Sequence, residues 1–453
     1  MTPTLTTSLS ATDLDAIRGP LADANAAFTR THPGEPIGRQ PTHTVYGGAQ
    51  LFKSGSVQRM GSLALRSLAT YAPTATDLGH ALGWDSAQSG IAETVYERVV
   101  AKLEREPVED FRIDFEDGYG NRPDDEEDAE AVRCAHEVAA GMRDGILPPF
   151  IGIRVKPLSE ELAGRSLRTL DLFVTALVSA TDGLLPDGFV ITVPKITSPG
   201  QVTAFVDALD MLETRLGITS GSLLIEMMVE TPQSILDEDG NIALPALVRA
   251  ARGRCRGAHF GTYDYTALCN ITAAHQVMAH PSCNFAKHVM QVSLAQRGIL
   301  LSDGATNIMP VGPHRPADGA VLTAEQESEN QRVVHNAWRI AYDHIRHSLR
   351  GGFYQGWDLH PAQLPIRYAA TYAFFLEGLE AATARLSAFL DKAAQATLLG
   401  DVFDDAATGQ GLLNVFLRGI ACGAISEQEA LATGITLDEL RRRSFLAIVE
   451  GRR

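Results

Sequence analysis

The feature that most limits how this chain can fold is an alternation. Eight short runs rich in apolar and β-forming residues occur at Thr42–Phe52, Phe111–Phe115, Phe150–Val155, Gly188–Pro194, Ser222–Glu230, Gly257–Asp264, Gly298–Asp303 and Gly352–His360. Stretches with helical signals separate them. Several runs are continuously apolar, as parallel strands covered on both faces are. Eight strands with intervening helices predict an α/β fold, a TIM-type (β/α)8 barrel. After His360 the pattern changes to helices only, and Ser426–Glu429 and Thr436–Glu439 have capping-box spacing. The expected organisation is an N-terminal helical extension over 1–40, a catalytic barrel over 41–365 and a C-terminal all-helical appendage over 366–453.

Charge then narrows the function. Lys and Arg number 39 against 55 Asp and Glu, a formal balance of −16. A nucleic-acid binder would need a basic stripe for phosphates, so no nucleic-acid partner is expected. No uncharged apolar run approaches the roughly 20 residues of a membrane span. The N-terminal segment lacks the basic cluster and apolar core of a secretory signal, so a cytoplasmic protein is expected. Cys134, Cys255, Cys269, Cys283 and Cys422 are scattered, odd in number and without a CxxC pair, which reads as free thiols. The acidic run Asp124–Asp128 after Pro123 reads as a helix start with a solvated face rather than a cation site. Arg441–Arg443 reads as a charge cluster at a helix C-terminus rather than a binding patch.

In a barrel of this kind the chemistry comes from the C-terminal ends of the strands. The second run ends in Asp114, Glu116 and Asp117, the third in Arg154, the fourth in Lys195 and the fifth in Glu230. The sixth ends in Asp264, and the eighth in Asp358 and His360. Charges after six of eight apolar strands would be costly if buried alone, so convergence on one mouth is expected. Carboxylate oxygens on rigid strand ends, with no paired thiolates, suit a hard cation such as Mg²⁺. His259, His275, His280, His288 and His314 match no zinc spacing and read as packing or surface histidines. His360 is expected to shape the loop after the last strand. Lys195 could form a Schiff base, but beside a metal site it more plausibly anchors a carboxylate or pairs with an acid.

These fragments, in this order from about Val45 to Gln363, resemble the superfamily containing the citrate lyase beta subunit, malyl-CoA lyase, HpcH/HpaI-type aldolases and malate synthase. IDFEDGYG, GIRVKP, VPK, VETPQSI, GTYDYTAL and GWDLHPAQ each resemble one of its strand-end motifs. The resemblance implies Glu230 and Asp264 as ligands of Mg²⁺, with Mn²⁺ as an alternative. It makes Arg154 the group that stabilises an oxyanion, and Glu116 and Asp117 the holders of metal-bound water. Two further stretches resemble malate synthase. His280–Val311 ends in a glycine-rich segment that puts Gly304, with Arg154 and Lys195, at the substrate. DVFDDAAT resembles the element carrying the general base, which makes Asp405 the base, although Asp404 stands where that motif usually has glutamate.

The implied function is a metal-dependent carbon–carbon lyase or synthase acting on a 2-oxo acid or hydroxy acid, with CoA as part of the substrate left open. The alternatives are a CoA-independent 2-oxo acid aldolase and a non-catalytic metabolite-binding relative. Related barrels often assemble, so a homo-oligomer is compatible with this reading.

Overall fold

The computed structural model describes residues 7–34, 38–316, 321–391, 397–399, 402–404 and 406–452. Eight strands close into a barrel in chain order: β1 (His43–Gly48), β2 (Asp110–Asp114), β3 (Phe150–Arg154), β4 (Val190–Val193), β5 (Leu224–Val229), β6 (Cys255–Phe260), β7 (Leu300–Ala305) and β8 (Gln355–Asp358). Every neighbouring pair is parallel, and β8 returns to β1 through His43 opposite Gly356. The predicted α/β barrel is the fold.

The strands are shorter than the runs that predicted them, because turn chemistry cuts each one. After β1 the chain enters a 3₁₀ turn, Ala49–Leu51. The sixth run breaks at Gly261 and its Asp264 belongs to the first turn of the helix Thr262–Leu268. Gly48 lies so close to the carbonyl of Gly118 that a Cβ there would collide with it, which lets the β1 and β2 ends meet.

The helices form the outer layer. Pro123 caps the helix Asp124–Asp144. In the acidic run Glu127 is fully buried, 3.0 Å from Lys156, and Asp128 pairs with Arg165 and Arg168. The run is therefore a helix start tied to its neighbours. The helix Leu364–Leu376 follows β8 and packs against Ala324–Arg350 and Ala92–Arg105, closing the outer ring. Beyond it come helices, with one short antiparallel pairing of Thr397–Leu399 with Val402–Asp404. Both predicted capping boxes are present, Ser426 with Glu429 and Thr436 with Glu439. All five cysteines are free thiols. Among the described residues no helix is long and apolar enough to cross a membrane.

The barrel interior differs from the apolar filling that the runs suggested. Asp110, Arg112 and Asp114 alternate along β2 and project inward. Arg112 is 1% exposed and binds Asp110 and both carboxylate oxygens of Glu226, at 2.7 and 2.8 Å. Thr192 donates to Glu226 at 2.5 Å, and His259 lies 3.2 Å from it. A charged, hydrogen-bonded layer thus fills the barrel below its mouth. Above it Tyr46, Met228, Ala305 and Trp357 form a small apolar cluster separate from the main core.

Candidate active site

The C-terminal ends of β2 to β6 place five carboxylates and two cations together. Arg154, at the end of β3, is gripped by Asp114 of β2 through Nε at 2.7 Å and Nη2 at 2.6 Å. The same Asp114 carboxylate accepts the backbone N–H groups of Glu116 and Gly118. Such a bidentate pair leaves the guanidinium one orientation. Its third nitrogen, Nη1, lies 3.1 Å from Glu116 and 3.8 Å from Asp117, and its plane sits 4.8 Å from the centre of the Tyr46 ring. Asp114 is thus the holder of Arg154 rather than a free acid in the mouth.

Lys195 ties the other half together. It follows β4 in a left-handed backbone conformation, φ +50°, which an L-residue adopts only when its surroundings fix it. Its backbone N–H donates to Glu230 Oε1 at 2.8 Å. Its ammonium pairs with Glu116, lies 3.4 Å from Asp117 and 3.6 Å from Asp264. Burial alone would lower the lysine pKa, but Glu116, Glu230 and Asp264 raise it well above the usual value. The ammonium is thus ion-paired with three carboxylates, which is the pairing alternative expected for Lys195.

The acids carry unequal loads. Glu230 is 1% exposed, and burial together with the Asp264 carboxylate pushes it up to about 8 against the pull of Lys195 and Arg154. Glu116 is held up at about 6 by burial, with Arg154 opposing. Burial would raise Asp117, but its hydrogen bond with Glu116 and the neighbouring Arg154 and Lys195 lower it. Gly261 explains how Glu230 fits: a Cβ there would sit 2.5 Å from both Glu230 Cβ and Oε2.

Arg154, Glu116, Asp117, Lys195, Glu230 and Asp264 are therefore neighbours. Gly304 lies buried within β7, where a Cβ would meet Thr262 Oγ1 at 2.6 Å and the Phe260 carbonyl at 3.0 Å. Asp405 lies outside the described residues. The helix that follows it, Ala406–Cys422, sets Gln410, Asn414 and Arg418 against the N-terminal end of the barrel, opposite the mouth. Asp358 does not converge on the mouth as expected. It points out of the barrel to His43 at 2.7 Å and Arg367 at 3.0 Å, because its neighbour Trp357 takes the inward position. His360 accepts from the N–H of Ala362 and shapes its loop.

Sequence reasoning missed Tyr46, Trp357 and the Arg112 layer, which form the floor under Arg154. The signal was present in β2, where charges at every second residue mark one face.

The site fits an oxygen-binding divalent cation by its charge. Two cations face five carboxylates, and Glu230 is raised by its burial and then by the Asp264 carboxylate. Among the described residues no three His, Cys, Asp or Glu side chains form a ready-made ligand set. Glu230 and Asp264 would supply two ligands, leaving the remaining positions to substrate and water, as Mg²⁺ sites commonly do.

Fold and site together define a (β/α)8 barrel with a carboxylate-rich mouth at the C-terminal ends of its strands. The chain belongs to the family described as a domain of unknown function, DUF6986, which it matches over residues 21–448. None of the curated proteins matches it. Among solved structures it is similar to a citrate lyase from Burkholderia xenovorans LB400, at 19% identity and a TM-score of 0.52, over 75% of this chain and 92% of that one. It also aligns with Haloferax volcanii malate synthase, at 12% identity and a TM-score of 0.45, over 90% and 99% of the two chains. A third alignment is with the citrate lyase beta subunit of M. tuberculosis, at 12% identity and a TM-score of 0.37, over 76% and 99%. The likeness to the first is one of fold.

Proposed function

We propose that this chain is a divalent-metal-dependent carbon–carbon lyase or synthase acting on a 2-oxo acid or hydroxy acid. The observation that carries the reading is the excess of carboxylates over cations at the strand ends, centred on buried Glu230. A bound Mg²⁺ supplies Lewis-acid polarisation of a carbonyl oxygen. Glu230 and Asp264 hold it. Arg154, fixed by Asp114, puts a guanidinium N–H where an enolate or alkoxide oxygen develops. Glu116 and Asp117 orient water, and Lys195 neutralises those acids and offers its ammonium to a substrate carboxylate. Gly304, where a Cβ would collide with Thr262 Oγ1, lets the end of β7 pack closely against Thr262 beside the mouth.

Two versions remain, and one observation favours the simpler. The helix after Asp405 packs at the far end of the barrel, which favours a CoA-independent 2-oxo acid aldolase over an acetyl-thioester condensation with Asp405 as base. Proton exchange in D₂O, followed by NMR with Mg²⁺ and either pyruvate or acetyl-CoA, tests both. Exchange of the pyruvate methyl, retained in Asp405→Asn, is the expected outcome. Exchange of the acetyl-CoA methyl, lost in Asp405→Asn, would establish the thioester version. Bound metal without exchange in either compound would overturn the enzyme reading and leave a metabolite-binding protein. Asp264→Asn is expected to abolish exchange while the fold, followed by circular dichroism, is kept.

The homo-oligomer reading has its support in the helix Ala11–Thr31, none of whose residues is buried. Leu14, Ile17, Leu21 and Phe28 lie at heptad spacing on one face, each more than a third exposed. A second copy would cover that stripe. Light scattering should give a dimer or larger species that Leu21→Glu dissociates; a monomeric parent would refute it.

A further inference from the structure

The mouth of the barrel is divided by charge. Arg154, Lys195 and the five carboxylates stand on β2 to β6 and the turns after them. β7, β8 and β1 close the other half and contain no lysine or arginine. Their two acids turn outward, Asp303 to Lys287 at 2.9 Å and Asp358 to Arg367 at 3.0 Å. Their inward residues are Ala305, Trp357 and Tyr46, which form the apolar cluster with Met228 of β5. Trp357 is 9% exposed and Tyr46 7%, no less than Glu116 at 7% and Arg154 at 4%, so the aromatic pair borders the mouth as fully as the charged groups do.

The polar atoms of that pair face elsewhere. The Tyr46 hydroxyl lies against His259 Nδ1 at 3.4 Å and Met228 Sδ at 3.7 Å, and the Trp357 indole nitrogen is buried without a partner. What the pair offers a ligand is hydrocarbon. The next inward position on β1 is Gly48. Gln50 fills the space a side chain there would take, its amide atoms 2.6 and 2.7 Å from where a Gly48 Cβ would stand. Gln50 Nε2 donates to the Gly118 carbonyl at 3.0 Å, while Oε1 is buried with no partner. A buried acceptor left unpaired is costly, and an incoming O–H would satisfy it. This half of the mouth is thus an aromatic floor with one uncharged amide beside it. Charge decides what it can hold. Five carboxylates against two side-chain cations and a divalent metal leave one negative charge, and a bound 2-oxo acid makes it two. A second anion would meet that charge with no cation from β7, β8 or β1 to offset it.

We propose that the β7–β8–β1 half of the mouth binds the second reactant, and that this reactant is an uncharged aldehyde rather than an anionic one. The proposal rests on the reading of the protein as a 2-oxo acid lyase or synthase. With pyruvate, the methyl group gives up a proton to a carboxylate of the mouth, its carbon bonds to the aldehyde carbon, and the C=O π pair moves to oxygen. That oxygen takes up a proton, so a 4-hydroxy-2-oxo acid forms with no other reactant. The new hydroxyl has its acceptor in Gln50 Oε1.

The test gives the full chain Mg²⁺, pyruvate and either butanal or succinic semialdehyde, two aldehydes of equal length that differ in one carboxylate. Product is followed by NMR beside exchange of the pyruvate methyl in D₂O. Butanal is expected to react faster by roughly tenfold or more. Gln50→Lys puts a cation in the neutral half and should raise the semialdehyde-to-butanal ratio by roughly tenfold. Trp357→Leu lowers the floor and should raise the hexanal-to-butanal ratio several-fold. A readout without turnover is the Trp357 indole N–H signal of metal-free protein, identified by its absence from Trp357→Leu. It is expected to shift with butyramide, an unreactive neutral stand-in, more than with succinamate, its anionic counterpart. Methyl exchange with faster use of the semialdehyde, or with no product from butanal, would overturn the proposal and leave the lyase reading standing. Ratios unchanged in both variants, or a Trp357 signal unmoved by butyramide, would overturn it as well. Absence of exchange would refute the lyase reading itself, and the Trp357 signal would then decide alone whether the neutral half takes an uncharged ligand.

Discussion

Lys195 does three jobs from one position. Its strained backbone presents an N–H to Glu230, its ammonium neutralises Glu116, and the same group reaches Asp264. The residues around it are packed tightly enough for single atoms to matter. A Cβ at Gly118 would lie 2.6 Å from Asp114 Oδ2, the oxygen that grips Arg154. Gly118→Ala should therefore displace the Asp114–Arg154 pair. The expected cost is about 1–3 kcal/mol of stability, as for overpacking elsewhere, read from the denaturant midpoint. Turnover should fall further than stability alone explains, because Arg154 loses its fixed orientation. A variant with parent stability and parent turnover would show that the loop yields without moving the pair.

At the scale of elements, the joint between β8 and the helix after it is electrostatic. Asp358 is buried between Arg367 and His43, and His43 accepts the Glu109 N–H at Nε2, so its Nδ1–H faces Asp358. Tyr368 from the same helix donates to the Pro107 carbonyl, and Trp338 donates to that of Ala362 at 2.8 Å. Burial would raise the Asp358 carboxyl, yet Arg367 and His43 outweigh it and hold it at about 2. A carboxyl lowered by folding stabilises the fold above its unfolded pKa, near 3.8. That contribution is lost as pH falls from about 4 toward 2, and is on the order of 2 kcal/mol. Asp358→Asn should flatten the acid limb of the stability–pH curve over that window and lower stability at neutral pH. An unchanged acid limb would move the dependence to other acids, such as Glu106 and Glu439, which are likewise held at about 2.

For the whole molecule, the barrel is a container whose middle layer is ionic. Removing Arg112 would strand Asp110 and Glu226 without the guanidinium that bridges them. Arg112→Met is expected to cost about 3–5 kcal/mol, the range for breaking a buried ion pair from one side, measured by chemical denaturation. Replacing Asp110, Arg112 and Glu226 together with apolar residues should recover much of that loss, since the cost lies in unpaired charge rather than in missing attraction. The C-terminal mouth of the barrel gathers carboxylates around Lys195. In a chain with a formal charge of −16, that concentration is a property of the folded molecule and not of its composition.

How much of this was legible beforehand follows from the range of the interactions involved. The strands, the barrel and both capping boxes came from patterns within about ten residues, where backbone geometry and side-chain period act directly. Glu116, Asp117, Arg154, Lys195, Glu230 and Asp264 were found because parallel strands must all deliver their C-terminal ends to one face. Asp358 was misplaced because a one-residue change of face in a strand exchanges the inside of a barrel for the outside, and local sequence does not show which of Trp357 and Asp358 turns inward. The ionic layer was overlooked because Arg112 and Glu226, 114 positions apart in sequence, meet only once the barrel has closed. The sequence by itself determined the periodic elements and the inventory of charged strand ends. The tertiary structure alone decided which charges are paired and which acid is forced up to about 8, since desolvation and Coulomb interaction depend on distances through space.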